Sequence, residues 1–568
     1  MNRQKFPLPF LFLIICSLCI ISCNNGGSGN KKIVHDPEKM DEHTNEAIEN
    51  ALALATAGKG KIDDSTHLQF TTLVKDFYSS NNFATVWSHK EKWEPMVDSL
   101  LRFIEGSELY GLFPKDYQPS KISALKKELD ADSIKRMDAQ LWTRADLLLT
   151  DAFMHVVQDL KKGRIGKDST FLKKSGPPLQ ADFYAKSLHE LFQKKQFSAM
   201  ISSLEPANSG YVELKKALAN FLDSMDRNIY TYVPYPYKAG NAKDSLFFIK
   251  LLQNRLKESG CMETVSKMAD SVELEAGIKK YQKKKGVKSD GKISAPLVRL
   301  LNNTDAERHK RIAITLDRYK QLPAEMPEKY IWVNLPSYYM QLYDHDTVVI
   351  NSKIICGKPE TKTPHLYSVI SDMVTYPTWT VPNSIIRKQY LPKLKTNPYY
   401  LSRIGLRLVD GKGETVDPGS INWSKYTKGI PFKVVQGSGD DNALGVIKFN
   451  FNNPYSVYLH DTNQRYLFKN AARALSHGCV RVERWQELAY YIARNDSLNL
   501  KEGDSLRYTT DSLATWLANK EKKRVTVKNG IPLFIAYFSC EGKNGKVRFY
   551  NDIYGEDKMI REKFFSGK

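Results

Sequence analysis

Between Leu68 and Val233 apolar residues recur every three or four positions, as at Leu73, Phe77 and Tyr78 and again at Leu147, Leu148, Phe153, Val156 and Leu160. That period predicts a mainly helical scaffold over 66–240, punctuated by Pro114, Pro119, Pro177 and Pro178. Alternate prolines in the run Tyr230 to Tyr237 forbid a helix there and predict an extended linker. A second helical pattern fills 244–304. Leu246, Ile249, Leu252 and Leu256 line one helix up to Gly260, Ile278 and Tyr281 a second up to Gly286, and Leu297, Leu300 and Leu301 a third.

After a short helix at Arg311 to Tyr319 the period changes from helical to alternating. Ile331, Val333 and Leu335 alternate, and further strands are expected at Val348 to Ile350, Ile354 to Gly357, Val446 to Phe451, Ser456 to His460 and Ile531 to Phe538. Tyr376 to Pro382, with Trp379 at its centre, reads as an aromatic edge segment where prolines are tolerated. From 383 to 432 the strand texture lapses into a stretch rich in Tyr, Lys and Pro, read as an insertion in a domain spanning 311–568. The fold class expected is multidomain α+β: a helical scaffold, a small three-helix domain, and a mostly-β domain carrying an inserted cap.

The N-terminus changes the picture of where this happens. Arg3 and Lys5 precede an apolar run from Leu8 to Ile21, and Ile20-Ile21-Ser22-Cys23 ends in cysteine. This is the pattern of a bacterial lipoprotein signal over 1–22, with lipidation at Cys23 and a flexible tether over 23–65. The expected location is the periplasmic face of the cell envelope, anchored to one of its membranes. Four cysteines then remain, Cys261, Cys356, Cys479 and Cys540, too few for a disulfide framework in a 568-residue chain. No motif suggests a metal or another cofactor. The net charge of +21 falls to +19 once Arg3 and Lys5 leave with the signal. Its lysines form no stripe interleaved with aromatics, so an anionic wall polymer or lipid surface is the expected counterpart rather than nucleic acid.

One stretch carries candidate chemistry: His460-Asp461-Thr462, then Ser476-His477-Gly478-Cys479-Val480-Arg481. A free thiol has a pKa of about 8.5 and is only slightly ionised at neutral pH, so a nucleophilic Cys479 needs a base or a cation nearby. His460 and His477 are the nearby candidates. If Ser456 to His460 is a strand, Tyr458 and His460 share one face while Val457 and Leu459 pack on the other. Gly478 admits close approach of a carbonyl, and the amides of Gly478 and Cys479 could receive an oxyanion. Arg481 could fork onto a substrate carboxylate. Spacing alone leaves a packing cysteine and a structural histidine open as alternatives.

His460, fifteen intervening residues, then Ser476-His477-Gly478-Cys479-Val480-Arg481 resembles the signature of the YkuD-type L,D-transpeptidase catalytic domain. Ile331-Trp332-Val333-Asn334-Leu335-Pro336, Asn442-Ala443-Leu444-Gly445, Lys448-Phe449-Asn450-Phe451 and Asp552-Ile553-Tyr554-Gly555 are similar to the large, YcbB-like murein L,D-transpeptidases, as is Gly111-Leu112-Phe113-Pro114 in the helical part. Ala276-Gly277-Ile278-Lys279-Lys280-Tyr281-Gln282 with Asp290-Gly291 and Leu301-Asn302 resembles the small three-helix peptidoglycan-binding domain. The resemblance implies Cys479 as nucleophile, His460 as base, and His477 and Gly478 holding the site and the oxyanion. Arg481, Tyr458, Ser476, Asp461, Thr462 and Trp379 are the expected substrate contacts. The implied partners are a donor tetrapeptide stem and an acceptor stem of peptidoglycan, with carbapenems as covalent inhibitors. Water or a protein lysine as acceptor, and a non-catalytic wall-binding lipoprotein, are the alternatives.

Overall fold

The computed structural model describes residues 32–64, 66–165, 179–234, 242–265, 271–500 and 508–565. The expected signal and Cys23 lie outside them. The chain divides into two compact units, one of Met1–Val97 with Ser120–Ala152, the other of Asp98–Pro119 with Phe153–Lys568.

In the first unit the expected tether is corrected. Met40–Ala57 is a helix that buries Ala47, Ile48, Ala51, Leu52 and Ala55. These residues form a narrow stripe at helical spacing, made mostly of alanine, which is apolar enough to pack but weak as a pattern. Beside it, the buried carboxylate of Asp146 accepts the Tyr78 hydroxyl and the Val86 and Trp87 amides. Burial raises its pKa to about 6. A two-stranded ribbon, Ser88–His89 with Lys92–Trp93, interrupts the expected run of helices.

The second unit holds the rest. Its helix Ser209–Asp223 buries Tyr211, Leu214, Leu218 and Leu222 against Trp332 and Phe534 of the main sheet. The C-terminal part of the segment 66–240 thereby completes the core of the strand-rich region. The helices Ala242–Glu258, Ser271–Lys284 and Ala295–Leu301 enclose a core of their own around Phe248, Leu252, Ile278, Tyr281 and Leu301. Asn302 ties the preceding segment to it, accepting from Val233 N at 2.9 Å and donating to Val233 O at 2.7 Å.

Ten strands make the main sheet among the described residues: β1 (Lys329–Asn334), β2 (Tyr339–Asp344), β3 (Thr347–Gly357), β4 (Leu366–Thr375), β5 (Ile447–Phe451), β6 (Leu459–His460), β7 (Ala474–Ser476), β8 (Val480–Val482), β9 (Arg524–Thr526) and β10 (Pro532–Ala536). Their order is β5-β6-β8-β3-β2-β1-β10-β4-β9, with β7 on β3. Strand β5 also pairs with β4, so the sheet returns on itself. Inward positions such as Ile331, Val333, Met340, Leu342, Phe449, Leu459, Val480 and Val482 fill one core, which Leu488 and Ile492 of the helix Trp485–Leu498 also enter. The alternation dictates that their neighbours face outward.

The insertion is larger and more ordered than expected. Trp379–Thr380, Lys433–Gln436 and Leu406–Val409 form a separate three-stranded sheet. It covers a core of Val381, Leu394, Leu401, Leu408, Trp423 and Val434. The subdomain thus runs from 379 to 436 rather than 383–432. Its strands have two to four residues, too short to show an alternation in sequence.

Candidate active site

Strand pairing assembles the site from residues far apart in the chain. Lys448 of β5 lies opposite His460 of β6, and His460 opposite Arg481 of β8. Directly paired residues share a face, so the three form a row across adjacent strands, with Phe449, Leu459 and Val480 on the inner face. Cys479, two positions before Arg481, belongs to the outer side. Of the four described cysteines, Cys261, Cys356 and Cys540 are buried and Cys479 is partly open. Burial pushes the Cys356 and Cys540 thiols up to about 12, which suits packing rather than reactivity.

Around Cys479 the charge balance is specific. Burial raises its thiol pKa, while bonds from Tyr458 and the cations Lys448 and Arg481 pull it down. Burial chiefly raises the Tyr458 pKa, the Cys479 thiol raises it further, and the Trp379 side chain acts the other way. Lys448 Nζ sits 4.0 Å from the centre of the Tyr458 ring, and the Tyr458 and His460 rings are 5.6 Å apart. Desolvation, followed by repulsion from Arg481, lowers the His460 pKa to about 3. Burial thus favours the uncharged form of both groups, a thiol at Cys479 and an imidazole at His460. His460 Nδ1 and Arg481 Nε are buried with no hydrogen-bond partner among the described residues.

The turn before Cys479 is held by hydroxyls. Ser476 Oγ donates to Cys479 O at 2.5 Å and accepts from Gly478 N at 3.1 Å. Thr363 Oγ1 donates to Gly478 O at 2.8 Å, and Thr361 Oγ1 to Ser476 O at 3.1 Å. Gly478 has φ 125, a conformation that side chains oppose.

Several expected roles change. Ser476 is 3% exposed and spends its hydroxyl on the turn, so it positions the loop instead of touching substrate. The Gly478 amide is engaged by Ser476, which removes it as an oxyanion donor in this conformation. Asp461 and Thr462 are fully buried. The Asp461 carboxylate takes Arg465 Nη2 at 2.6 Å and Val446 N at 3.1 Å, and Thr462 Oγ1 takes Gln464 N, so both organise the turn after β6. A Cβ at Gly445 would meet Asp461 Oδ2 at 2.2 Å, which explains the glycine beside that carboxylate. Tyr458 packs with Cys479 against the main core, and Trp379 against the core of the insertion. His477 is exposed and meets the Gln389 amide of the insertion, and Arg481 Nη1 donates to Gln464 at 3.1 Å.

Sequence reasoning missed Lys448, Gln389 and Thr363 as parts of the site. Lys448 had a signal, a cation in mid-strand between the apolar Ile447 and Phe449. The other two are brought in only by the fold.

Residues 328–504 match the L,D-transpeptidase catalytic domain of the YkuD type, and residues 72–218 match a scaffold domain. A Haemophilus influenzae protein provisionally named an L,D-transpeptidase is 37% identical over 230 residues, 40% of this chain and 45% of that protein. The match thus spans less than half of that relative's length. The catalytic domain of an E. faecium L,D-transpeptidase acylated by ertapenem covers 37% of this chain and 99% of its own, at 13% identity and a TM-score of 0.17. The Ldtfm-avibactam carbamoyl enzyme covers 41% of this chain and 62% of its own, at 13% identity and a TM-score of 0.16. The chain carries a YkuD-type L,D-transpeptidase catalytic domain, within a multidomain α+β protein with helical N-terminal elements.

Proposed function

We propose that this protein is a lipid-anchored envelope enzyme that cross-links peptidoglycan stems through a thioester on Cys479. The observation that carries the reading is the row Lys448, His460, Arg481 beside Cys479, the one partly open cysteine among the described residues, inside the matched domain.

Cys479 attacks the carbonyl of the third residue of a donor tetrapeptide. Its proton passes to neutral His460 and then to the departing amine of the terminal D-alanine, leaving the thioester. The amine of a neighbouring stem's third residue attacks the thioester. His460 takes that proton and returns it to the Cys479 sulfur, giving a link between the two third residues. An imidazolium flanked by Lys448 and Arg481 is strongly acidic, so it hands its proton on readily. The Cys479 amide serves as oxyanion donor, and Arg481, with its buried and unpartnered Nε, binds a stem carboxylate. The 379–436 subdomain, through Trp379 and Gln389, limits water at the thioester. The N-terminal signal motif and Cys23 support export and acylation.

Incubation with purified disaccharide-tetrapeptide tests the reaction. Dimers are expected; tripeptide alone would make the protein a carboxypeptidase, and no product would remove it from thiol acyl transfer. Intact mass after meropenem should show one covalent adduct that is absent in Cys479→Ala.

A further inference from the structure

We propose that Lys448 receives the terminal carboxylate of the donor stem, so that the site selects donors ending one residue beyond the carbonyl that Cys479 attacks. The proposal rests on the acyl-transfer reading of Cys479 and adds to it a group that measures donor length.

Register fixes where this cation stands. In the parallel pair β6–β8, Leu459 lies opposite Val480 and His460 opposite Arg481, which sets Tyr458 level with Cys479. Val480 N donates to Tyr458 O at 3.1 Å in the same pairing. Across the antiparallel pair β5–β6, Lys448 lies opposite His460. Residues two apart on a strand share a face, so thiol, phenol, imidazole and ammonium stand on one surface. The ammonium lies over the Tyr458 ring, 4.0 Å from its centre.

Lys448 is half-buried, and among the described residues no carboxylate comes within ion-pair distance of it. Burial lowers its pKa, while the Cys479 sulfur and the Asp372 carboxylate act to raise it. Asp372 is already committed elsewhere. It accepts from Asn450 Nδ2 at 2.7 Å, from Arg524 Nε at 3.1 Å and Nη2 at 3.2 Å, and from Ser371 Oγ at 3.1 Å. An ammonium drawn out of water with no anion beside it is costly, and an incoming carboxylate relieves that cost. Arg481, on the other side of His460, already donates from Nη1 to Gln464 Oε1.

The distances fit the residue that leaves. Tyr458 and Cys479 are one strand spacing apart, about 4.8 Å, and the ammonium on the Tyr458 ring therefore lies on the order of 9 Å from the sulfur. A carbonyl held about 3.5 Å from the sulfur puts the carboxylate of the next residue about 7 Å from it. A charge-assisted hydrogen bond of about 2.8 Å covers the remaining gap. A donor longer by one residue carries its carboxylate about 3.5 Å farther out and sets a neutral amide against the ammonium. The cation thus separates a stem of four residues from one of five, and its anion departs with the terminal D-alanine.

The test measures a preference within each variant, so that the loss of a positive charge near the thiol, which slows all donors alike, cancels. Disaccharide-tetrapeptide is compared with its C-terminal carboxamide and with disaccharide-pentapeptide. In wild type kcat/KM should favour the free acid over the carboxamide by at least about tenfold, and the pentapeptide should match the carboxamide. Lys448→Met and Lys448→Gln should each bring the acid-to-amide ratio close to one, and Lys448→Arg should keep most of it. Calorimetric titration of acid and amide into Cys479→Ala, with and without Lys448→Met, should show the same pattern in Kd. Equal treatment of acid and amide by wild type, a pentapeptide turned over as fast as the tetrapeptide, or a preference that survives Lys448→Met and vanishes in Arg481→Gln overturns the assignment. A binding preference for the acid that needs Lys448, in a protein that turns over none of the donors, upholds the carboxylate site and sinks the acyl-transfer reading instead.

Discussion

Lys448 and His460 face each other directly across the β5–β6 pair, and the Lys448 ammonium lies 4.0 Å from the centre of the Tyr458 ring beside them. A cation set against a depressed imidazole makes His460 a poor partner for a permanent ion pair. Tyr458, Lys448 and Arg481 are the groups that lower the thiol pKa at rest. Removing a positive charge near a thiol raises its pKa. Lys448→Met and Tyr458→Phe should therefore each move the pH midpoint of Cys479 alkylation upward. Alkylation at pH 7 should slow by up to about tenfold for every pH unit by which the midpoint rises. An unchanged midpoint in Lys448→Met would show that Lys448 does not act on the thiol.

His460 ties stability to pH. Its folded pKa of about 3 lies below the ordinary histidine value of 6.5, so between the two the unfolded chain binds the extra proton. Its contribution is complete above 6.5 and is lost as pH falls toward 3, at no more than about 1.4 kcal/mol per pH unit. Urea midpoints measured from pH 7 to pH 4 should fall less steeply in His460→Gln than in wild type.

Asp461 gives a stability effect without a binding effect. Asp461→Ala leaves the Val446 amide without its buried acceptor and releases the largely exposed Arg465 to solvent, and should cost about 1 to 3 kcal/mol in chemical denaturation. KM of the protein that remains folded should be unchanged. A raised KM at unchanged stability would return Asp461 to the substrate contacts.

Gly478 separates backbone strain from crowding. A Cβ there meets nothing closer than Lys362 O at 3.7 Å, so space is available, but φ 125 is costly for alanine. Gly478→Ala should carry about 1 to 3 kcal/mol of strain and lower kcat by shifting the Cys479 loop, visible as slower meropenem acylation. Ser476→Ala, which loses both turn bonds, should slow acylation in the same way.

Trp379 tests the role of the insertion. Trp379→Ala opens the cleft above Tyr458, and the ratio of hydrolysed tripeptide to cross-linked dimer should rise in the muropeptide assay. An unchanged ratio would mean that the 379–436 subdomain does not control water.

Much of the architecture was legible because local period is a local property. The three short helices around Ile278, the β1 alternation of Ile331 and Val333, and the pairing of inward Leu459 with outward His460 follow from residues a few positions apart. What escaped depends on weak or short signals. The Met40–Ala57 helix packs through an alanine-rich stripe, and the insertion's strands are too short to alternate visibly. The helix Ser209–Asp223 is an ordinary amphipathic helix in sequence, and nothing in its own residues names the sheet that it covers.

By itself the sequence determined the reactive candidates, Cys479 and His460, and the glycine that lets the loop turn, because residue chemistry and spacing along one strand and one turn are written locally. Only the tertiary structure decided which neighbours surround them. Strand register set Lys448 and Arg481 on either side of His460, and burial withdrew Ser476, Asp461 and Thr462 from the cleft into the framework. The physical reason is that charge, desolvation and hydrogen-bond demand act between groups close in space. Here those groups are joined by pairings across strands that lie well apart in the chain.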